Sequence, residues 1–70
     1  MRTFSLEGRP FITLNNLLKV EGLTDSGASA KQSIADGQVT VDGQVELRKR
    51  CKIVAGQTVV FGAQTVRVVA

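Results

Sequence analysis

Histidine, tryptophan and tyrosine are absent from this 70-residue chain, and cysteine, proline and methionine occur once each. Without histidine, the chain lacks the usual general base, the usual metal ligand and the usual partner of a nucleophilic serine or cysteine. A lone cysteine cannot form an intramolecular disulfide, and it would need carboxylate partners to bind zinc. We therefore expect a protein that is not an enzyme, with no catalytic residue, no metal site and no cofactor.

Long apolar runs are lacking as well. Glu7, Gly8 and Arg9 interrupt the N-terminal sequence MRTFSLEGRP, which therefore does not resemble the apolar segment of a signal peptide. No stretch approaches the roughly 20 apolar residues of a membrane span. We expect one small domain, residues 1–70, in the cytoplasm, with no membrane partner and no cavity for a small-molecule substrate.

Positive charge is present in excess, and it is concentrated in one segment. The chain has 9 Lys+Arg and 6 Asp+Glu, and four of these cations lie within five positions: Arg48, Lys49, Arg50 and Lys52, here called the basic run. One interpretation is a solvated strand edge, where cations discourage aggregation. The other is a site for an anionic partner, because clustered like charges repel one another until an anion binds. The density of charge favours the second interpretation.

Nucleic acid fits the basic run better than a membrane does. A basic cluster that binds membranes normally flanks an apolar anchor or lies on a basic amphipathic helix, and the chain has neither. Its only aromatic residues are three phenylalanines. Phe4 and Phe61 lie in strand patterns and are predicted to be core residues. The sequence pattern does not predict a position for Phe11. A binder that contacts phosphates is therefore favoured over one that stacks bases on aromatic rings.

The first half of the chain predicts two short helices. Leu14, Leu17 and Leu18 share one helical face behind the candidate N-cap Thr13, and Gly22 is placed to end this helix. The second helix is expected to begin behind Asp25 or Ser26 as its N-cap. Its apolar residues Ala30 and Ile34 lie one turn apart, and Gly37 is placed to end it.

The second half of the chain predicts strands. The Asp-Gly pair in VTVDGQVEL is typical of a type I′ hairpin turn, and we expect Val45 and Leu47 to meet Val39 and Val41 across it. Further strands follow up to the C-terminus. The predicted fold class is α+β, with two short helices packed on a small, mostly antiparallel sheet.

Cys51 lies inside the basic run and allows two interpretations. The cations Arg50 and Lys52 could lower the pKa of its thiol and make it reactive. Alternatively, Cys51 is a small core residue on a strand, facing inward with Ile53 while its basic neighbours face outward. We favour the core residue.

Residues 14–61 resemble the alpha-L RNA-binding motif, the S4-type domain shared by a small-subunit ribosomal protein, pseudouridine synthases and other translation-related proteins. The resemblance is carried by the leucine helix, the second helix with Ala30-Lys31, the hairpin GQVTVDGQV and the segment VAGQTVVF. Residues 25–59 also resemble a small stand-alone bacterial member of the family. The resemblance implies a motif core at about 13–61 behind an N-terminal strand, with RNA contacted by the second helix and the hairpin region.

The resemblance also implies which residues contact RNA. Lys31 matches the basic residue after the helix alanine, and Ser26 and Gly27 open that helix, where free N–H groups can hold a phosphate. The predicted RNA-binding residues are therefore Ser26, Gly27, Lys31, Arg48, Lys49, Arg50 and Lys52. Two family contacts are altered, because Gly27 replaces a common arginine and Asn15-Asn16 replaces a common Asp-Lys.

The sequence thus predicts a non-enzymatic protein that docks on structured RNA, ribosomal or transfer RNA, mainly through phosphates. If about four phosphates are neutralised, log K should fall with log salt at a slope of about −3 to −4. The alternative is a protein–protein interaction module, in which the basic run steers an acidic partner.

Overall fold

The computed structural model describes all 70 residues and has the predicted α+β architecture. Its helices are α1 (Leu14–Val20) and α2 (Gly27–Ala35). Its strands are β1 (Arg2–Ser5), β2 (Ile12–Thr13), β3 (Val39–Val41), β4 (Gln44–Val45), β5 (Lys52–Ile53), β6 (Thr58–Phe61) and β7 (Gln64–Val69). Neither helix combines the length and the apolar character needed to pass through a membrane.

Five strands form the main sheet, in the order β1-β7-β6-β3-β4. All neighbouring strands are antiparallel except the N-terminal strand β1, which runs parallel to β7. The strands β2 and β5 form a separate two-stranded ladder, in which Ile12 lies opposite Ile53 and Thr13 opposite Lys52. This ladder leads directly into α1 and carries the last residue of the basic run.

The core lies between the helices and the sheet and contains apolar residues only. Leu14, Leu17 and Leu18 of α1 are fully buried, as the helical spacing predicted. Ala30 and Ile34 of α2 are fully buried beside them. Phe4 and Phe61, which were predicted to be core residues, are half-buried and pack against this cluster.

Both helices end in the same way. Gly22 follows α1 with φ 72°, a left-handed conformation that glycine adopts without a steric penalty. The amide of Leu23 then donates to the carbonyl of Leu18, which completes a Schellman motif. Gly37 ends α2 in the same conformation. Both predicted helix ends are therefore confirmed.

The β3–β4 hairpin forms as predicted, but the predicted contact of Val45 and Leu47 with the valines of β3 is wrong. Asp42 and Gly43 have φ of 51° and 85°, as a type I′ turn requires. Residues directly opposite each other share a face of the sheet, and Val45 lies opposite Thr40 rather than a buried valine of β3. Val45 and Leu47 are consequently 57% and 61% exposed.

Candidate nucleic-acid interface

The basic run lies on a loop rather than on a strand. Residues 46–51 connect β4 to β5, and only Lys52 of the run belongs to a strand. Cys51 precedes that strand and is half-buried against the core, whereas Ile53 is fully buried. Cys51 therefore packs against the core, as the interpretation as a core residue expected, but it is only partly buried and precedes the strand on which it was expected.

Two backbone hydrogen bonds hold this loop against the start of α1. The amide of Leu14 donates to the carbonyl of Cys51 at 2.9 Å, and the amide of Asn15 donates to that of Lys49 at 3.0 Å. The first N–H groups of a helix have no partner within the helix, so carbonyls from elsewhere can take them. Thr13, the N-cap of α1, makes no capping bond with its side chain. The basic loop is therefore part of the α1 cap.

A carboxylate that the sequence did not single out compensates one cation of the basic run. Arg48 Nε and Nη2 donate to the two carboxylate oxygens of Glu46 at 2.9 and 3.3 Å, and the Arg48 amide donates to Oε2 at 3.1 Å. These bonds, first those from the side chain and then that from the backbone, lower the pKa of Glu46 to about 2. This is the only ion pair in the chain.

The thiol of Cys51 belongs to the same cluster and is not activated. Its Sγ lies 3.5 Å from Glu46 Oε1 and 3.8 Å from Arg48 Nη2. Burial, followed by the hydrogen bond to Glu46, raises the pKa of the thiol. The expected lowering of this pKa by Arg50 and Lys52 is therefore wrong, because burial and then Glu46 outweigh the nearby positive charge.

The other three cations of the basic run are exposed and unpaired. Lys49, Arg50 and Lys52 form no ion pair within the chain. Arg50 and Lys52, together with Arg48 and Cys51, line an open groove of about 390 Å³. The Nζ of Lys52 also lies 5.0 Å from the centroid of the Phe11 ring, in a cation–π contact. Phe11, whose position the sequence did not predict, therefore lies beside the basic run. Three cations of the basic run, Arg48, Arg50 and Lys52, thus share one groove, and Lys49 is exposed between them in the sequence.

The predicted RNA contacts of α2 are outside the set of residues that line this groove. Ser26 rather than Asp25 caps α2, because its Oγ accepts from the Ser29 amide at 3.2 Å. A Cβ added at Gly27 would meet nothing within 4 Å, so the start of the helix is open. Lys31 is exposed and forms no ion pair. None of the three predicted residues Ser26, Gly27 and Lys31 lines the groove of the basic run.

Comparison with known proteins gives consistent matches over the whole chain. A family model of the S4 domain matches residues 4–69. YbcJ of Escherichia coli (strain K12), named as a candidate RNA-binding protein, is 63% identical over 70 residues, which is 100% of both chains. YbcJ of Shigella flexneri matches to the same extent. The solution structure of YbcJ from E. coli, described as an alpha-L motif involved in RNA binding, superposes with a TM-score of 0.78 over 100% of this chain and 89% of that one.

Proposed function

The chain belongs to the S4 domain family, and from this membership we propose that it is a non-enzymatic RNA-binding protein. Two properties of its relatives support the proposal. The E. coli relative is named as a candidate RNA-binding protein, and its solved structure is described as a motif involved in RNA binding. Residues 1–70 act as one domain with a motif core at about 13–61, and we expect it to work in the cytoplasm, where its RNA partner is found.

The observation that carries the proposal is a fixed loop with unpaired cations. Lys49, Arg50 and Lys52 have no anionic partner in the chain, while hydrogen bonds from α1 hold the backbone that carries them. Because this backbone is already ordered, binding would cost less conformational entropy than on a free loop. Arginine can bond a phosphate bidentately, and lysine adds a point charge. RNA phosphates are the anions that such a loop fits.

The start of α2 supports a second contact with the same RNA. Ser26 caps the amide of Ser29, but the earlier amides of Gly27 and Ala28 have no backbone partner, and Gly27 leaves room for a phosphate to approach them. Lys31 lies one turn further along and adds positive charge. We expect a structured RNA, because a folded RNA can present phosphates to α2 and to the basic run at the same time. Ribosomal and transfer RNA are the two candidates.

The experiment that tests the proposal is a salt titration of binding to a structured ribosomal RNA fragment, with double-stranded DNA of equal length beside it. Since Glu46 already pairs with Arg48, the free cations of the basic run are Lys49, Arg50 and Lys52, and this run alone should contribute a slope of log K against log salt of about −2 to −3. A slope of that size corresponds to a loss of about 15- to 65-fold in affinity between 50 and 200 mM salt.

Variants make the salt titration specific to the site. Lys49→Ala with Arg50→Ala should weaken binding and flatten the slope by about 2, because two phosphate contacts are lost. Lys19→Ala with Arg67→Ala removes the same charge from exposed positions on α1 and β7 and is the matched control. Equal binding of RNA and DNA, with both variants like the wild type, would contradict the proposal and favour an acidic protein partner.

A further inference from the structure

Two exposed aliphatic side chains lie next to the basic run and form a continuous surface. Val45 and Leu47 are 57% and 61% exposed. They converge on Gly37, because a Cβ built there would lie 3.7 Å from Val45 Cγ1 and 4.0 Å from Leu47 Cδ2. We call Val45 and Leu47 the apolar patch. In the sequence, Val45 lies three residues before Arg48, the first residue of the basic run, and Leu47 lies one residue before it.

The backbone imposes the exposure of the apolar patch. The type I′ turn places Val45 opposite Thr40, on the outer face of the hairpin. The amide of Glu46 donates to the Val39 carbonyl at 3.0 Å and continues the ladder by one residue beyond β4. Side chains alternate along a strand, so Glu46 can face Arg48 and Cys51 only if its two neighbours face away. Turning the patch inward would break the Glu46–Arg48 pair.

We propose that the apolar patch receives the face of an unstacked nucleobase in an RNA loop or bulge, while the flanking phosphates meet the basic run. This inference rests on the proposed function. A second open groove is lined by Val45 together with Arg48 and Lys52, so a polyanion drawn to the basic run also reaches the apolar patch. Within a duplex the base faces are covered by their neighbours, so only an unstacked nucleotide offers an apolar face.

No phenylalanine ring beside the basic run is free to stack a base, so an aliphatic surface would have to cover it. Lys52 covers the ring of Phe11, and the other two phenylalanines pack against the core. Val45 and Leu47 are also more exposed than Val54, the other exposed large aliphatic residue within three positions of the basic run. Aliphatic cover contributes less than stacking on an aromatic ring, so we expect an effect of about five- to tenfold in affinity.

The test compares two RNAs over a range of salt. One is a hairpin whose loop carries 2-aminopurine, and the other has the same stem sequence as a continuous duplex. Wild type should bind the hairpin about five- to tenfold more tightly and should change the 2-aminopurine fluorescence. Val45→Ser with Leu47→Ser should lose both properties and keep the salt slope, because no phosphate contact is removed.

Two further variants separate the possible outcomes. Val20→Ser with Val69→Ser changes exposed valines on α1 and β7, away from the basic run, and should behave like the wild type. Lys49→Ala with Arg50→Ala should flatten the salt slope but keep the preference for the loop. If only this cation variant weakens binding and the patch variant matches the wild type, the inference is overturned and the proposed function stands.

If the wild type binds neither RNA, the proposed function fails, and the inference fails with it. If the wild type binds RNA but sediments as a dimer that the patch variant abolishes, the patch is an interface between protein chains, which also overturns the inference.

Discussion

Glu46 holds Arg48 in the way that an RNA phosphate would hold it. Its two oxygens accept from the guanidinium at 2.9 and 3.3 Å, and one of them also accepts from the Arg48 amide. An incoming phosphate must therefore compete with this carboxylate for the charge of Arg48, and while the pair persists it can bond only the guanidinium N–H groups that Glu46 leaves free. Glu46 already pairs with Arg48, whereas Lys49, Arg50 and Lys52 have no anionic partner in the chain. The four cations nevertheless look alike in the sequence.

Replacing Glu46 with glutamine should release Arg48 for RNA. We expect Glu46→Gln to bind structured RNA more tightly and to steepen the salt slope by about 1, because one more cation becomes free to neutralise a phosphate. Filter binding or fluorescence anisotropy across a salt series would measure both quantities. Glu7→Gln makes the same charge change at an exposed turn and is the control. Weaker binding by Glu46→Gln alone would mean that Glu46 shapes the loop for RNA rather than competing with it.

The same carboxylate predicts a dependence of stability on pH. Arg48 lowers the pKa of Glu46 to about 2 in the folded protein, below the value of about 4.3 in an unfolded chain. The unfolded state therefore binds the proton first, and the contribution of this pair to stability is complete above about pH 4.3 and is lost as the pH falls towards 2. The contribution should be small and weaker in high salt, because the Arg48 side chain is 78% exposed.

Urea unfolding of the wild type and of Glu46→Gln at several pH values would measure this dependence. The difference in the free energy of unfolding between the two proteins should be constant from pH 7 to about 5 and should shrink below about 4.3. A difference that does not change with pH would show that the effect of the substitution is steric rather than ionic.

At the scale of elements, the β4–β5 loop is ordered by a helix that is distant in sequence. The carbonyls of Lys49 and Cys51 accept from the first amides of α1, more than thirty residues earlier in the chain. This arrangement gives α1 a cap that its own side chain does not supply. It also fixes the backbone that carries the basic run. Capping of α1 and the order of the proposed RNA site thus depend on the same two hydrogen bonds.

Removing one of these amides should loosen the loop. Asn15→Pro deletes the donor to Lys49 at a helical position where proline is tolerated in the first turn. We expect a loss of about 0.5–1.5 kcal/mol in the free energy of unfolding, typical of one backbone hydrogen bond, and weaker RNA binding. Asn16→Pro is the matched control, because it places proline in the same turn without removing a bond to the loop. Equal loss in both variants would indicate damage to the helix alone.

Local chemistry explains which elements could be predicted from the sequence. The leucine spacing of α1, the glycine after each helix and the Asp-Gly turn each depend on a few neighbouring residues, and all are confirmed. The expected contact of Val45 and Leu47 with the β3 valines is wrong, because the two-residue turn fixes which residues lie opposite each other. The hydrogen bonds between the loop and α1 join distant residues, and no local pattern predicts them.

At the scale of the whole molecule, the predicted family is confirmed and the RNA contacts of individual residues stay predictions. The S4 domain match spans residues 4–69, wider than the segment that carried the resemblance. The structure brings Arg48, Arg50 and Lys52 together around one groove, as their closeness in the sequence suggested. The relation of Ser26, Gly27 and Lys31 to that groove depends on how α2 packs, which sequence spacing does not determine.

We expect one RNA to contact both α2 and the basic run if it is large enough to span the molecule. The molecule measures 30 × 22 × 19 Å, so a folded RNA of modest size can span it. On such an RNA, Lys31→Ala and Arg50→Ala should each flatten the salt slope by about 1, and their effects on binding free energy should add, since they lose separate phosphates. On a short hairpin that covers only the basic run, Arg50→Ala should still weaken binding and Lys31→Ala should not. A Lys31→Ala variant that matches the wild type on both RNAs would remove α2 from the interface and leave the basic run as the whole site.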